Sequence, residues 1–334
     1  MKFFRELCRE IIQSTQAESG PSLGCYCVGT ATFNLYEAEP TLAPAVAEHF
    51  PVAKPNAETA NVYLRYDGAF MAQVVDALDG RWFQQIEQLF QDCGLYGYLN
   101  TETEQFEFFD PSSRTAIRIL PSVEHIPIWE RSSPISVIAG WLNQAHGNVM
   151  LHSGTLEIDG TGAILCGPSG SGKSLLTLAG IRTGMRSVGD DYIIAEKIAG
   201  SDCYQAYPFS RMAKQSPAGL KYLWREDPLA RQRPLNWQGK VVFPLGVTYD
   251  APLSVNCVIS PFIGKTARLE PTNARDTARK LAESTIYQLP GSPRQILQFA
   301  SQMVRDLPVY QFEMGPDVTA NAQILFAFLK DEFK

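Results

Sequence analysis

Residues Gly167-Pro168-Ser169-Gly170-Ser171-Gly172-Lys173-Ser174 follow the pattern G-x-x-x-x-G-K-[ST]. Glycine has no Cβ, so such a run lets the backbone wrap closely around an anion with its N–H groups turned inward. A helix that starts where the run ends adds its positive end at the same place. The lysine then reaches the β- and γ-phosphates of a nucleotide, and the Ser174 hydroxyl is placed to hold Mg²⁺. The plainer alternative is a Gly/Ser turn capping a helix, with Lys173 in solvent. Context favours phosphate: Ala163-Ile164-Leu165-Cys166 is an apolar run suited to a buried strand, and Leu175-Leu176-Thr177-Leu178-Ala179 continues as a helix. Strand, loop and helix in that order are the setting the pattern requires.

Two adjacent carboxylates, Asp190 and Asp191, stand just before the apolar Tyr192-Ile193-Ile194. Beside a phosphate loop one of them can complete a Mg²⁺ shell, while the other takes a proton from an attacking hydroxyl. Away from such a loop the pair would read as a solvated turn. Upstream, His152 precedes a strand over 155–158 that runs into the Asp159-Gly160 turn. A hairpin returning along 162–166 brings His152 to the mouth of the loop. On its own a single histidine is more often structural.

Residues 151–194, LHSGTLEIDGTGAILCGPSGSGKSLLTLAGIRTGMRSVGDDYII, resemble the catalytic core of the HPr kinase/phosphorylase family. Its members have a histidine opening a strand, a Gly-x-Gly turn, the phosphate loop, a helix ending in glycine, and a strand running into Asp-Asp. The resemblance implies that Gly167, Pro168, Ser169, Gly170, Ser171, Gly172, Lys173 and Ser174 bind ATP, with Lys173 neutralising the transferring phosphate. Ser174 and Asp190 would hold Mg²⁺. One aspartate, by spacing Asp191, would accept the proton of a serine hydroxyl, and His152 would complete a catalytic set of His152, Lys173, Asp190 and Asp191. The family's later acidic signature and its Gly/Arg-rich loop are not recognisable here, so the resemblance implies neither HPr as acceptor nor phosphorolysis. It extends by general pattern to a C-terminal strand at 307–312 and a final helix, and does not reach residues 1–130.

The surrounding chain must position these groups. At 334 residues it is long enough for two domains. A net charge of −6 disfavours nucleic acid as a partner. No apolar run approaches the roughly 20 residues that span a bilayer, so no membrane partner is expected. The opening MKFFRELCREIIQ is charged at Arg5, Glu6, Arg9 and Glu10, unlike a secretory signal. Its Phe4, Leu7, Cys8, Ile11 and Ile12 line one face of a helix over 2–14. Seven scattered cysteines, with Cys25 and Cys27 read as strand residues rather than a metal pair, point to a reducing, cytoplasmic compartment.

Residues 1–130 read as an α+β domain of unknown role. Strands are expected at 25–33, 62–66 and 115–120, a helix at 81–90, and a hairpin of 96–99 with 106–109. Residues 121–133 read as a linker. Ser133 as N-cap and Pro134 at the first helical position then open a helix over 135–144, at the start of an α/β domain, 131–334, that resembles the catalytic domain of HPr kinase. Between 211 and 240, Arg211, Lys214, Lys221, Arg225, Arg231, Arg233 and Lys240 face only Glu226 and Asp227, and Pro217, Gly219, Pro228 and Pro234 break any long helix. This segment reads either as a flap that closes over phosphates or as a solvated loop anchored by Trp224 and Trp237.

The expected function is ATP- and Mg²⁺-dependent transfer of the γ-phosphate to a hydroxyl, that of a serine in a peptide or protein. A biosynthetic precursor peptide is as suitable an acceptor as a carrier protein, and a homo-oligomer is compatible with the sequence. The alternatives are a small-molecule kinase and a non-catalytic ATP-binding regulator.

Overall fold

In the computed structural model the chain divides into two compact units, Met1–His146 and Gly147–Lys334. The structure describes residues 2–78, 86–100, 102–223, 234–246, 251–288 and 293–332. The first unit contains α1 (Lys2–Glu18), β1 (Gly24–Val28), β2 (Ala31–Glu37), α2 (Ala43–His49), β3 (Ala60–Tyr66), α3 (Gly68–Leu78), α4 (Ile86–Asp92), β4 (Tyr96–Asn100), β5 (Gln105–Asp110), β6 (Thr115–Leu120) and α5 (Ser136–Ala145). One six-stranded sheet, in the order β1-β2-β3-β6-β5-β4, organises it. The three central strands β2, β3 and β6 are parallel, and antiparallel hairpins close both edges. The stripe Phe4, Cys8, Ile11 and Ile12 buries α1 in a core with Phe90, Phe106 and Phe108.

The hairpin 96–99/106–109 and the strand at 115–120 form where the sequence places them. The expected strand 25–33 is instead two strands, because Gly29 at φ 58° turns the chain and pairs Val28 with Ala31. The helix expected over 81–90 is seen as α4 from Ile86, and residues 81–85 lie outside the described residues.

Residues 121–133 are not a spacer. Their two short 3₁₀ turns, Val123–His125 and Ile128–Arg131, bury Glu130 against Arg118 of β6, with Nη1–Oε2 at 2.6 Å and Nη2–Oε1 at 3.1 Å. Glu130 Oε2 also accepts the backbone N–H of Ile135 at 2.7 Å. Ile135, at φ 47°, is the N-cap of α5, whereas the Ser133 hydroxyl donates to its neighbour's carbonyl. The α5 helix packs on β5 and β2, and its Asn143 Nδ2 donates to Val28 O at 3.1 Å. These contacts put 131–146 in the first unit, so its edge falls at His146 rather than at 130.

The second unit contains β7 (Val149–Leu151), β8 (Gly154–Ile158), β9 (Thr161–Leu165), α6 (Lys173–Arg182), β10 (Ile193–Lys197), β11 (Tyr204–Pro208), β12 (Met212–Gln215), α7 (Pro217–Leu223), β13 (Val241–Pro244), β14 (Leu253–Val255), β15 (Cys257–Ile263), β16 (Arg268–Pro271), α8 (Ala274–Ile286), α9 (Pro293–Asp306), β17 (Val309–Met314) and α10 (Val318–Asp331). A five-stranded sheet runs β16-β17-β15-β9-β8, with β9, β15 and β17 parallel. A four-stranded antiparallel sheet runs β14-β11-β10-β7, and β12 pairs with β13. In β9, at the middle of the parallel sheet, Ala163, Ile164 and Leu165 are apolar and buried, as suits a strand covered on both faces. The α6 and α10 helices pack together and against β8, and α8 lies against α9, β7 and β15. Among the described residues no helix is long and apolar enough to cross a membrane.

Candidate functional site

The glycine-rich segment joins β9 to α6, the strand–loop–helix order its pattern requires. Gly167, Gly170 and Gly172 have φ of 143°, 81° and 98°, which L side chains resist. At Gly172, the N-cap of α6, a Cβ would also lie 2.0 Å from Met314 Cε. Lys173 is buried, and its Nζ donates to Gly167 O at 2.6 Å and Pro168 O at 3.2 Å. Burial lowers its pKa, against the pull of Asp190.

The hairpin of β8 and β9 pairs Gly154 with Leu165, so residues 152 and 153 stand just beyond its ladder, at the end where the loop begins. The chain changes sheets at this point, since β7 pairs with β10 while β8 pairs with β9. His152 and Ser153 are therefore free of strand pairing. Both are buried.

Asp190 and Asp191 sit at the entry to β10 and have separate surroundings. Asp190 is 3% exposed, and neither of its carboxylate oxygens has a hydrogen-bond partner among the described residues. Burial and the neighbouring Asp191 charge push its pKa up to about 7, against the opposing pull of Ser174 and Lys173. The Ser174 hydroxyl is near enough to act on Asp190 but does not meet hydrogen-bond geometry with it. Gly154 makes room on the other side: a Cβ there would lie 2.3 Å from Thr177 Oγ1 and 3.6 Å from Asp190 Oδ1. Thr177 Oγ1 is likewise buried and unpartnered among the described residues. A buried carboxylate with two orphaned oxygens is costly unless a cation satisfies it. Asp190 with the Ser174 hydroxyl is an all-oxygen donor set of the kind Mg²⁺ takes, so these residues fit that ion.

Asp191 has φ 81°, a strained value for a residue with a side chain. Its Oδ2 accepts from Lys214 Nζ at 2.8 Å, and its Oδ1 lies 3.6 Å from His152 Nε2. Burial alone would raise its pKa, but Lys214 and then His152 outweigh burial and hold it well below the usual carboxylate range. His152 Nδ1 lies 3.1 Å from Gln288 Nε2, and its backbone N–H donates to Thr285 Oγ1 of α8 at 3.1 Å. The Tyr192 hydroxyl donates to Gln288 Oε1 at 3.1 Å, and its ring stands 5.8 Å from the imidazole.

His152, Asp191, Lys214 and Gln288 thus form one chain of contacts, with Asp190, Ser174 and Lys173 grouped beside it. The sequence singles out the first two and the last three as candidates. It shows Lys214 only as one basic residue among seven, and has no signal for Gln288, Thr285 or Tyr192.

The described ends of the 211–240 segment are not a coreless flap. Lys214 is paired in register with Val242, and Ala213, Leu220, Val241, Phe243 and Leu245 pack against Leu178 and Ala179 of α6. Trp237 is half exposed. Trp224, Arg225, Glu226, Asp227, Pro228, Arg231 and Arg233 lie outside the described residues.

No family model matches the chain, and no curated protein matches it. Among solved structures it is similar to the Hpr(Ser) kinase/phosphatase from Coxiella burnetii, at 15% identity and a TM-score of 0.26, over 55% of this chain and 98% of that one.

Proposed function

We propose that this chain is a kinase that moves the γ-phosphate of ATP to a hydroxyl, with a serine of a peptide or protein as acceptor and Mg²⁺ as its metal. The observation that carries the reading is the contrast between two adjacent aspartates. Asp190 is buried beside Ser174 and Lys173 with neither oxygen hydrogen-bonded among the described residues, while Asp191 is ion-paired and faces His152. One suits a cation and the other an incoming proton, which are the two tasks of phosphoryl transfer to an alcohol.

In this reading the amides of 167–174 cradle the phosphates, and the Lys173 ammonium offsets the charge on the transferring group. Asp190 and Ser174 would hold Mg²⁺, which when bound supplies charge neutralisation at the β- and γ-phosphates. Asp191, kept ionised by Lys214, takes the proton of the attacking hydroxyl, and His152 holds its second oxygen in place. The second unit supplies all of these side chains. A cytoplasmic setting suits the seven scattered cysteines.

The test is transfer from radiolabelled ATP with Mg²⁺ to an array of serine-containing peptides, with Lys173→Ala as the comparison. Label on a serine hydroxyl that disappears in the variant supports the proposal. ATP binding with no transfer to any peptide or alcohol would favour a nucleotide-binding regulator.

A further inference from the structure

We propose that Gln288 is a positioning residue: its Nε2 donates to His152 Nδ1 and so fixes the imidazole as the tautomer whose Nε2–H points at Asp191 Oδ1. The contact is 3.1 Å on the Gln288 side and 3.6 Å on the Asp191 side, so both ring nitrogens have a neighbour. A neutral imidazole has one donor and one acceptor nitrogen, and the group on one side dictates what the other can do. The Gln288 Nε2 amide can only donate, so the Nδ1 that faces it carries no proton and Nε2 carries it, toward Asp191 Oδ1. Nδ1 is then a bare acceptor, and the partner it requires is an N–H donor. The amide nitrogen of Gln288 is that donor, while Gln288 Oε1 is engaged by the Tyr192 hydroxyl.

Gln288 lies just past the end of α8, and the same helix holds the His152 backbone through Thr285. One element therefore fixes both the position of the histidine and the orientation of its ring. The opposite tautomer would put a bare nitrogen against the Asp191 carboxylate, two lone-pair surfaces facing each other. Asp191 would lose its second contact and the orientation it needs toward an acceptor hydroxyl. The assignment of the tautomer stands on the contacts alone, and only its catalytic consequence rests on the kinase reading above.

The test is ¹⁵N NMR of the full chain labelled at histidine, in which an unprotonated ring nitrogen resonates well downfield of a protonated one. The chain has four histidines, and His152→Asn identifies the signals of interest. In the wild type, Nδ1 of His152 should be unprotonated and Nε2 protonated. Gln288→Glu offers only acceptors at neutral pH, so with Asp191 on the other side it should add a proton at Nδ1 and leave both ring nitrogens protonated. Gln288→Lys offers only donors and should keep the wild-type pattern, and Gln288→Leu should give a mixture.

In single-turnover transfer Gln288→Glu should be slower by about 10–100-fold, the scale of outer partners that orient a functional imidazole, with ATP affinity unchanged. A protonated Nδ1 in the wild type, or an unchanged spectrum in Gln288→Glu, overturns the tautomer assignment. The stated protonation patterns with a wild-type rate in Gln288→Glu overturn the positioning role. If the protonation patterns are as stated but the wild type transfers no phosphate to any acceptor, the kinase reading fails and the assignment stands.

Discussion

Lys214 Nζ lies 2.8 Å from Asp191 Oδ2, joining the short β12–β13 ladder to the turn before β10. This ion pair is the main reason that a partly buried carboxylate stays ionised, since burial alone would favour its protonated form. It also separates the two aspartates chemically, because Asp190, one residue away, is displaced in the opposite direction.

Lys214→Met removes that cation, so burial raises the proton affinity of Asp191 and a protonated Asp191 cannot accept a proton. The acid limb of the single-turnover rate should therefore move to higher pH, with the rate recovering in alkali. Rate measurements from pH 5 to 9 decide this. An unmoved limb would remove Asp191 from the role of proton acceptor.

Asp191→Asn keeps the size and loses the base. Transfer should fall by about 10²–10⁴-fold with ATP affinity retained. Asp190→Asn should instead raise the Mg²⁺ concentration needed for half-maximal transfer. The same variant should melt at a higher temperature than the wild type in EDTA at pH 8, by about 1–3 kcal/mol of stability, because a buried charge without a partner is gone. A lower melting temperature would mean that the carboxylate has a stabilising partner in the protein.

Lys173→Ala should cost about 10²–10³-fold in transfer, the usual scale for one preorganised charge or donor on a developing anion. Isothermal titration with ATP separates this from lost binding. Full transfer by the variant would take the 167–174 loop out of the mechanism.

Gly172→Ala meets two obstacles: a left-handed φ of 98° and Met314 Cε at 2.0 Å. The first costs roughly 1–2 kcal/mol for any L side chain. Met314→Ala in the same chain should restore only the steric part of the loss. Thermal melts of the two single variants and the double variant give the split, and complete rescue would show that backbone strain contributes nothing.

In the first unit, Arg118 faces two carboxylates, both buried: Glu130, which grips it through two bonds, and Glu107, whose Oε1 lies 2.7 Å from Arg118 Nε. Burial, with Glu130 adding to it, outweighs the pull of Arg118 and raises the Glu107 pKa from 4.5 to about 7. The folded state then binds more protons than the unfolded one between those values. Its stabilising contribution is complete below about pH 4.5 and is lost as the pH rises through about 7, on the order of 3 kcal/mol. Glu107→Gln should flatten this fall, so the variant loses less melting temperature than the wild type between pH 5 and pH 8. Parallel pH curves for the two proteins would show that Glu107 does not titrate there.

The local features of this protein are legible in its sequence, because each is set by residues close together in the chain. Three glycines and a lysine between an apolar run and a helical one define the loop from β9 to α6. The Asp159-Gly160 turn defines the hairpin that carries His152 toward it, and the strand at 115–120 is written in its own apolar residues. What the site does with these parts was decided by the tertiary structure. Asp190 and Asp191 are the same residue type side by side, and only the packing of β12 and α8 around them makes one unpartnered and the other ion-paired. Gln288 meets His152 from 136 positions away, and no spacing rule spans that distance. The segment 121–133 has a linker's prolines and serines, yet the buried charge of Arg118 draws Glu130 inward and ties it to the first unit. Chain-local preferences set the elements. The partners of buried charges are set by which elements the sheets bring side by side.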